Sequence, residues 1–179
     1  MNTENEILCE TIKPKVHFTD NDLLFPTNPI KVNLIGAGGT RSQMLMTLAR
    51  MSHALTQLNH AGLSLRLWDD DVITEANLGR QLFAESELGF YKSVALINRV
   101  NRFFGTNWRA ETIKFEKDSI RNTQKNMEST IYISCVDNVK TRFEIAEILK
   151  SLNNGKFYRN TAKYWMDFGN SQYSGQVLF

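Results

Sequence analysis

The sequence has only two cysteines, Cys9 and Cys135, and they do not form a CxxC pair. This scarcity excludes a disulfide framework and is typical of a protein from a reducing compartment. No apolar run approaches the roughly 20 residues that a membrane-spanning helix needs. The amino terminus also has no signal-peptide pattern. We therefore expect a soluble, cytoplasmic protein with no membrane partner.

The chain also lacks a charge excess and the residue spacings of common catalytic sites. Its 21 basic and 19 acidic residues nearly balance, and no long basic block occurs, so charge gives no support for nucleic-acid binding. The three histidines have no metal-ligand spacing, and no Ser/His/Asp or Cys/His arrangement stands out. A hydrophobic content of 42% over 179 residues instead favours one globular domain of ordinary size.

Prolines are few and confined to the first 29 residues, which have little periodicity. We interpret residues 1–30 as an N-terminal arm, or a lead-in strand on the surface, and residues 31–179 as the domain. From Lys31 onwards, strand-like apolar runs alternate with helical periodicity. The predicted strands cover residues 32–35, 63–68, 110–115, 131–136, 157–162 and 165–168, and the predicted helices cover residues 44–58, 91–104 and 139–152. This order predicts an α/β fold, a doubly wound, Rossmann-like, mostly parallel sheet with helices on both faces and a mixed edge near the C-terminus.

Two segments have the pattern of a nucleotide site. Gly36, Gly38 and Gly39 follow the first strand and precede a helix, so backbone N–H groups and the positive end of the helix dipole can meet a phosphate. Asp69 ends the next strand, where a carboxylate can accept hydrogen bonds from ribose hydroxyls. A nicotinamide dinucleotide and ATP would both suit these features.

A cluster of further donors favours ATP over a dinucleotide. Arg80 and Lys92 are candidates to neutralise phosphate charge, and Asn77 and Gln81 lie in the same short segment as Arg80. Asp137 follows an apolar strand and could hold Mg²⁺ beside the phosphates, or cap the helix that starts near Asn138. A dinucleotide-dependent oxidoreductase would leave these donors without a role.

Together these motifs resemble the ThiF/MoeB family, the bacterial relatives of the ubiquitin-activating enzymes. Four motifs match in order and spacing over residues 31–179: the glycine turn at 36–39, the segment 69–81, Gly89 with Lys92, and Asp137-Asn138 with Arg142. The segments 68–81 and 97–106 are most similar to ThiF-like members of the PRTRC system. The match is specific because four separate motifs are in register.

The resemblance implies ATP-dependent adenylation of the C-terminal carboxylate of a small ubiquitin-like or sulfur-carrier-like protein, by a homodimer that uses ATP and Mg²⁺. It implies catalytic roles for Arg80, Lys92 and Asp137, with Asp137 as the Mg²⁺ ligand. The implied nucleotide-binding residues are Gly36, Gly38, Gly39, Asp69, Asn77, Arg80, Gln81, Lys92 and Asp137, and Arg41 is a further candidate because it follows the glycine turn.

The sequence departs from the family pattern at Arg41, which stands where the family has its third glycine. This arginine could reach the phosphates or fill the nucleotide pocket. Cys135 lies within an apolar strand and is interpreted as a core residue, so no conjugating cysteine supports a thioester step. The alternatives are therefore a catalytically weakened ThiF-like binding or scaffold module and, less favoured, an NAD-dependent oxidoreductase.

Overall fold

A central β-sheet forms the middle layer of the structure. The computed structural model describes residues 18–36, 39–116, 129–136, 138–153, 162–170 and 175–178, without the side chains of residues 40, 41, 170 and 175–178. The described strands are β1 (Ile30–Ile35), β2 (Leu63–Trp68), β3 (Arg109–Glu111), β4 (Ile131–Ser134), β5 (Tyr164–Asn170) and β6 (Gly175–Leu178). The described α-helices are α1 (Asn21–Leu24), α2 (Gly39–Gln57), α3 (Lys92–Phe104) and α4 (Val139–Asn153).

The strands lie in the order β3-β2-β1-β4-β5-β6. The first five are parallel, and β6 runs antiparallel to β5. Leu34 is in register with Leu67 on one side and with Ile133 on the other. The doubly wound, mostly parallel sheet with a mixed edge near the C-terminus is therefore confirmed.

Helices cover both faces of this sheet and create two apolar cores. On one face, buried side chains of α2 and α3, such as Leu45 and Val100, pack with Leu34 and Leu67. On the other face, Ile145 and Ile148 of α4 pack with Tyr132 and Trp68. Within the described ranges, no helix combines the length and the apolar character that crossing a bilayer requires.

Two predicted strands differ from the observed elements. The strand expected at 110–115 covers only Arg109–Glu111, because Phe115 instead packs edge-on against Trp68, with ring centroids 5.3 Å apart. The possible lead-in strand before residue 30 is wrong for its described part, where the chain forms α1. Asp20 caps this short helix, accepting a hydrogen bond from the Asp22 amide. The strand expected at 157–162 lies outside the described residues except for Ala162.

Polar contacts tie α1 to the rest of the domain at two places. The Lys163 ammonium lies 2.7 Å from a carboxylate oxygen of Asp20 and 2.7 Å from one of Asp22. On the other side, His60 Nδ1 accepts a hydrogen bond from the Gly62 amide, so Nε2 of the neutral ring donates to the Leu23 carbonyl. The segment before β1 is thus held by side chains from distant parts of the chain.

We expect Lys163→Met to raise the pKa of Asp20 towards its ordinary value. The hydrogen bond from Lys163, and after it the one from the Asp22 amide, lowers the pKa of Asp20 in the folded chain. Hydrogen bonds to Asp20 and then to Asp22 raise the pKa of Lys163. The contact is therefore fully present above the ordinary pKa of Asp20 and below that of Lys163. It is lost as the pH falls through the lowered pKa of Asp20 or rises through the raised pKa of Lys163.

A carboxyl-detected NMR titration of Asp20 in the parent chain and in Lys163→Met measures this shift. Lys150→Met is the control, because this exposed lysine makes no recorded ion pair within the described structure. An Asp20 titration that is the same in Lys163→Met as in the parent chain would contradict the contact.

Candidate functional site

The carboxyl ends of three neighbouring strands meet at one edge of the sheet. The Gly36 amide donates to the Trp68 carbonyl over 2.6 Å, and the Cys135 amide donates to the Ile35 carbonyl over 3.3 Å. The ends of β1, β2 and β4 therefore lie side by side. The strand order reverses between β1 and β4, and ligands of open α/β sheets bind outside such a switch point.

The glycine turn follows β1 at this edge. Gly36 has a φ of +101°, a conformation that a residue with a side chain rarely adopts. A Cβ built at Gly39 would meet no described atom within 4 Å, and the first turn of α2 has no acidic residue. An anion can therefore approach the start of this helix. Gly38 and the Arg41 side chain lie outside the described residues.

Asp69 is held firmly at the end of β2. Only 7% of the residue is exposed, and its Oδ1 accepts a hydrogen bond from the Asp71 amide over 3.0 Å. Its backbone carbonyl accepts a hydrogen bond from the Ser93 hydroxyl, also over 3.0 Å. Asp69, the residue predicted to bind ribose, therefore has a fixed position, which is set partly by Ser93, the residue after Lys92.

Lys92 opens α3 and is bound to the segment after Asp69. Its side chain is only 9% exposed, and Nζ lies 2.8 Å from Asp71 Oδ2. The Lys92 amide also donates to the Asp71 carbonyl, and Val72 pairs with Tyr91 in an antiparallel bridge. Because an ammonium group has three hydrogens, the Asp71 contact leaves donors for a phosphate. The pairing of Lys92 with Asp71 was not predicted from the sequence.

The turn at residues 74–81 is organised by one of its own predicted site residues. Asn77 Oδ1 accepts hydrogen bonds from the Thr74 amide and hydroxyl, over 3.0 and 3.1 Å. The Gln81 backbone amide donates to the Asn77 backbone carbonyl. The oxygen of the Asn77 side chain therefore shapes the turn, and only the amide nitrogen is suited to donate to a phosphate.

Arg80 and Gln81 end this turn in opposite surroundings. The Arg80 side chain is exposed and donates from Nε to the Ala76 carbonyl over 3.1 Å. Gln81 Oε1 is buried, and none of the residues that the structure describes is its hydrogen-bond partner. A buried amide oxygen without a donor is costly, so a ligand that brings a donor would satisfy it.

The described residues do not include the predicted Mg²⁺ ligand, Asp137. They contain no group of three or more His, Cys, Asp or Glu side chains that could hold a metal ion. Val136, which precedes Asp137, is described, and its carbonyl accepts a hydrogen bond from Arg142 Nη2 over 2.9 Å. A role for Mg²⁺ therefore remains a prediction from the sequence.

A buried polar network beside this edge was not predicted as a site. Asp167 is 1% exposed, and its Oδ1 accepts a hydrogen bond from the Ser134 hydroxyl over 2.6 Å. Arg142 Nε lies 3.0 Å from Asp167 Oδ2 outside hydrogen-bond geometry, so this contact is an ion pair. Trp165 Nε1 donates to the Ser134 hydroxyl. The available sequence signal was a charged residue within an apolar strand.

A cavity of about 670 Å³ lies at the opposite edge of the sheet. The ends of α2 and α3 and the amino ends of β1 and β2 form it, with lining residues such as His53, Leu63 and Trp108. None of the predicted site residues is among its described lining residues. Chemistry at the strand ends, rather than cavity size, therefore locates the candidate site.

Solved structures with this fold include MccB from E. coli, in a structure with selenomethionine MccA. The TM-score between this chain and MccB is 0.57 at 19% identity, over 78% of this chain and 36% of MccB. E. coli tRNA N6-threonylcarbamoyladenosine dehydratase, TcdA, is similar in its complex with AMP, with a TM-score of 0.53 at 19% identity over 70% of this chain and 47% of that one. The complex of TcdA with ATP has a TM-score of 0.50 at 18% identity, over 65% and 44% of the two chains. The chain thus spans less than half the length of these proteins.

A comparison with curated protein sequences finds no significant match. The sequence does match the ThiF family over residues 20–179, which include every strand and helix described above. The glycine turn, Asp69 and Lys92 all lie within this match, on the fold shared with MccB and TcdA. The chain belongs to the ThiF family.

Proposed function

We propose that this chain binds ATP at the carboxyl edge of its sheet and activates a carboxylate by adenylation. The observation that most supports this function is the connected unit formed by Asp69, Asp71 and Lys92 beside the glycine turn. This unit combines a carboxylate that can bind ribose with a cation, beside a strand-to-helix turn suited to phosphate. Family membership and the ATP complex of TcdA support the same function.

In the proposed reaction, a carboxylate oxygen of the substrate attacks the α-phosphorus of ATP. The bond from this phosphorus to the oxygen that bridges to the β-phosphate breaks, and pyrophosphate leaves with that oxygen. The products are an acyl-adenylate and pyrophosphate, so no protein nucleophile is needed. Catalysis then depends on positioning and on stabilising the developing charge.

The residues of the site would divide this work. Asp69 would accept hydrogen bonds from the ribose, and the start of α2 would receive a phosphate. Lys92 and Arg80 would offset negative charge on the phosphates, the first as a buried ammonium and the second as an exposed guanidinium. The Asn77 amide nitrogen and the Gln81 amide would complete the set of polar partners.

We further propose the C-terminal carboxylate of a small ubiquitin-like or sulfur-carrier-like protein as the substrate. The resemblance of the four motifs supports a protein substrate. The sequence alone supports a cytoplasmic location and Mg²⁺ at Asp137, and its resemblance to the family supports a homodimer and membership of the PRTRC system.

We expect the purified chain to bind ATP more tightly than NADH, and Asp69→Asn to lose most of this affinity. The amide would replace one carboxylate oxygen by a donor and remove the charge that strengthens hydrogen bonds from ribose hydroxyls. Isothermal titration calorimetry with ATP and NADH measures both affinities. Asp70→Asn is the matched control, because Asp70 is the exposed neighbour of the same strand end.

Exchange of labelled pyrophosphate into ATP separates an enzyme from a binding module. We expect exchange only when a small ubiquitin-like protein with an intact C-terminus is present, and none when its last residues are removed. ATP binding without exchange across such candidates would favour the weakened module. Tight NADH binding without ATP binding would contradict both the adenylating enzyme and the weakened ThiF-like module, and it would favour the oxidoreductase.

A further inference from the structure

A single arginine of α3 holds the loop that follows the Arg80–Gln81 turn. Arg99 Nη2 bonds both carboxylate oxygens of Glu87, over 2.8 and 2.7 Å, and Nη1 donates to the Leu82 carbonyl. Glu87 also accepts a hydrogen bond from the Ala84 amide over 2.8 Å. One guanidinium therefore fixes residues 82–87 to the helix at two separate points, because its planar fork presents several donors at once.

Arg99 and Lys92 both bind the segment that links β2 to α3, and they do so from the same side of α3. They lie seven residues apart, about two helical turns, so both side chains project from one face. Lys92 binds the start of this segment at Asp71, and Arg99 binds its later part at Leu82 and Glu87. The turn at residues 74–81 lies between these two anchors.

At the exposed end of the turn, the described restraints come from within the turn itself, such as the hydrogen bond from the Gln81 backbone amide to the Asn77 carbonyl. Among the residues that the structure describes, the Arg80 side chain donates a hydrogen bond only to the Ala76 carbonyl, within the same turn. Gly79, just before it, has a φ of +75°, which a flexible glycine adopts easily. The chain after Leu82 is also held by Phe83, which is 8% exposed and packs in the core. The orientation of Arg80 and Gln81 therefore depends on how the loop after them is held.

We propose that Arg99 is a positioning residue that orients Arg80 and Gln81 towards the nucleotide. Nothing in its contacts requires it to touch the ligand; it acts through the loop it binds. A displacement of about 1 Å at a catalytic group can cost about 100-fold in rate, so the second anchor has a direct consequence for a phosphate site. The nucleotide part of this inference rests on the proposed function, whereas the loop-holding part does not.

ATP affinities in a double-mutant cycle test the inference. We expect Arg99→Gln to weaken ATP binding about tenfold, a coupling typical of side chains in one network. In an Arg80→Ala background the same change should have a clearly smaller effect, because only Gln81 is left for Arg99 to orient. Arg66→Gln is the matched control: it breaks another Arg–Glu pair, with Glu111 at 2.6 Å, away from the loop. Isothermal titration calorimetry gives all the affinities.

Amide hydrogen exchange provides a readout that does not depend on ATP. We expect Arg99→Gln to speed exchange at residues 82–88 and Arg66→Gln to leave those amides unchanged. Glu87→Gln, which weakens the same contact from the loop side, should behave like Arg99→Gln. Slow exchange in both loop variants overturns the inference, and so does a loss of ATP affinity that is equally large without Arg80. A parent chain that binds no ATP refutes the proposed function, while the exchange data still decide whether Arg99 holds the loop.

Discussion

Arg80→Ala should slow partner-dependent ATP–pyrophosphate exchange by about 10²–10³-fold while leaving the fold intact. Loss of one preorganised donor to a developing charge typically has an effect of this size. The stability change should stay within about 0.5 kcal/mol, because the side chain is exposed and its hydrogen bond to a described residue, Ala76, lies within its own turn. The rate of label exchange and the thermal midpoint measure the two effects separately.

Two further variants make the Arg80 experiment specific. Arg80→Lys keeps the charge but loses the planar fork, so its rate should fall between those of the parent chain and Arg80→Ala. Arg102→Ala removes an exposed arginine from the last turn of α3 and should leave exchange unchanged. An Arg80→Ala protein with the parent rate would remove Arg80 from the site.

Arg142→Ala should lower the free energy of unfolding by about 3–5 kcal/mol, because it removes one partner of a buried ion pair. The Asp167 side chain is only 2% exposed, and Arg142 Nε lies 3.0 Å from its Oδ2 atom. The variant would also remove the hydrogen bond to the Val136 carbonyl. For a domain of this size the midpoint should fall by about 6–20 °C. Urea denaturation and a thermal scan measure the two quantities.

The cause of that loss can be tested with a second change at the same pair. In Arg142→Ala/Asp167→Asn the buried charge is gone while the Ser134 hydroxyl keeps an acceptor, so part of the stability should return. Arg66→Ala should cost less than Arg142→Ala, because its partner Glu111 keeps 21% of its side-chain surface exposed to water. Equal losses in Arg66→Ala and Arg142→Ala would mean that burial of Asp167 is not the reason.

Much of the fold was predictable because its signals are local. The apolar run before Gly36 and the three- and four-residue steps of α2 and α3 depend only on which side chains face a core. The glycine turn and Asp69 were predictable for the same reason, since a strand end is visible in the sequence. Phe115 misled the strand prediction because apolar character does not tell whether a residue pairs in a sheet or packs upon it.

The contacts within the site were not predictable to the same degree. The chemistry of Asn77 suggested a phosphate donor, but its oxygen is occupied by Thr74, three residues earlier. The partner of Lys92 is 21 residues away, and that of Arg99 is 12 residues away. A charged side chain in a sequence has many possible partners, and only the path of the backbone selects one.

By itself, the sequence determined the alternation of strands and helices, the glycine turn and the chemical types of the residues at the candidate site. These follow from periodicity, backbone conformation and functional groups, which belong to short segments. Only the tertiary structure decided that Asp167 is buried against Arg142 and that α3 holds both ends of the loop with Arg80. Such choices depend on which surfaces are withdrawn from water together, and burial is a property of the whole folded chain.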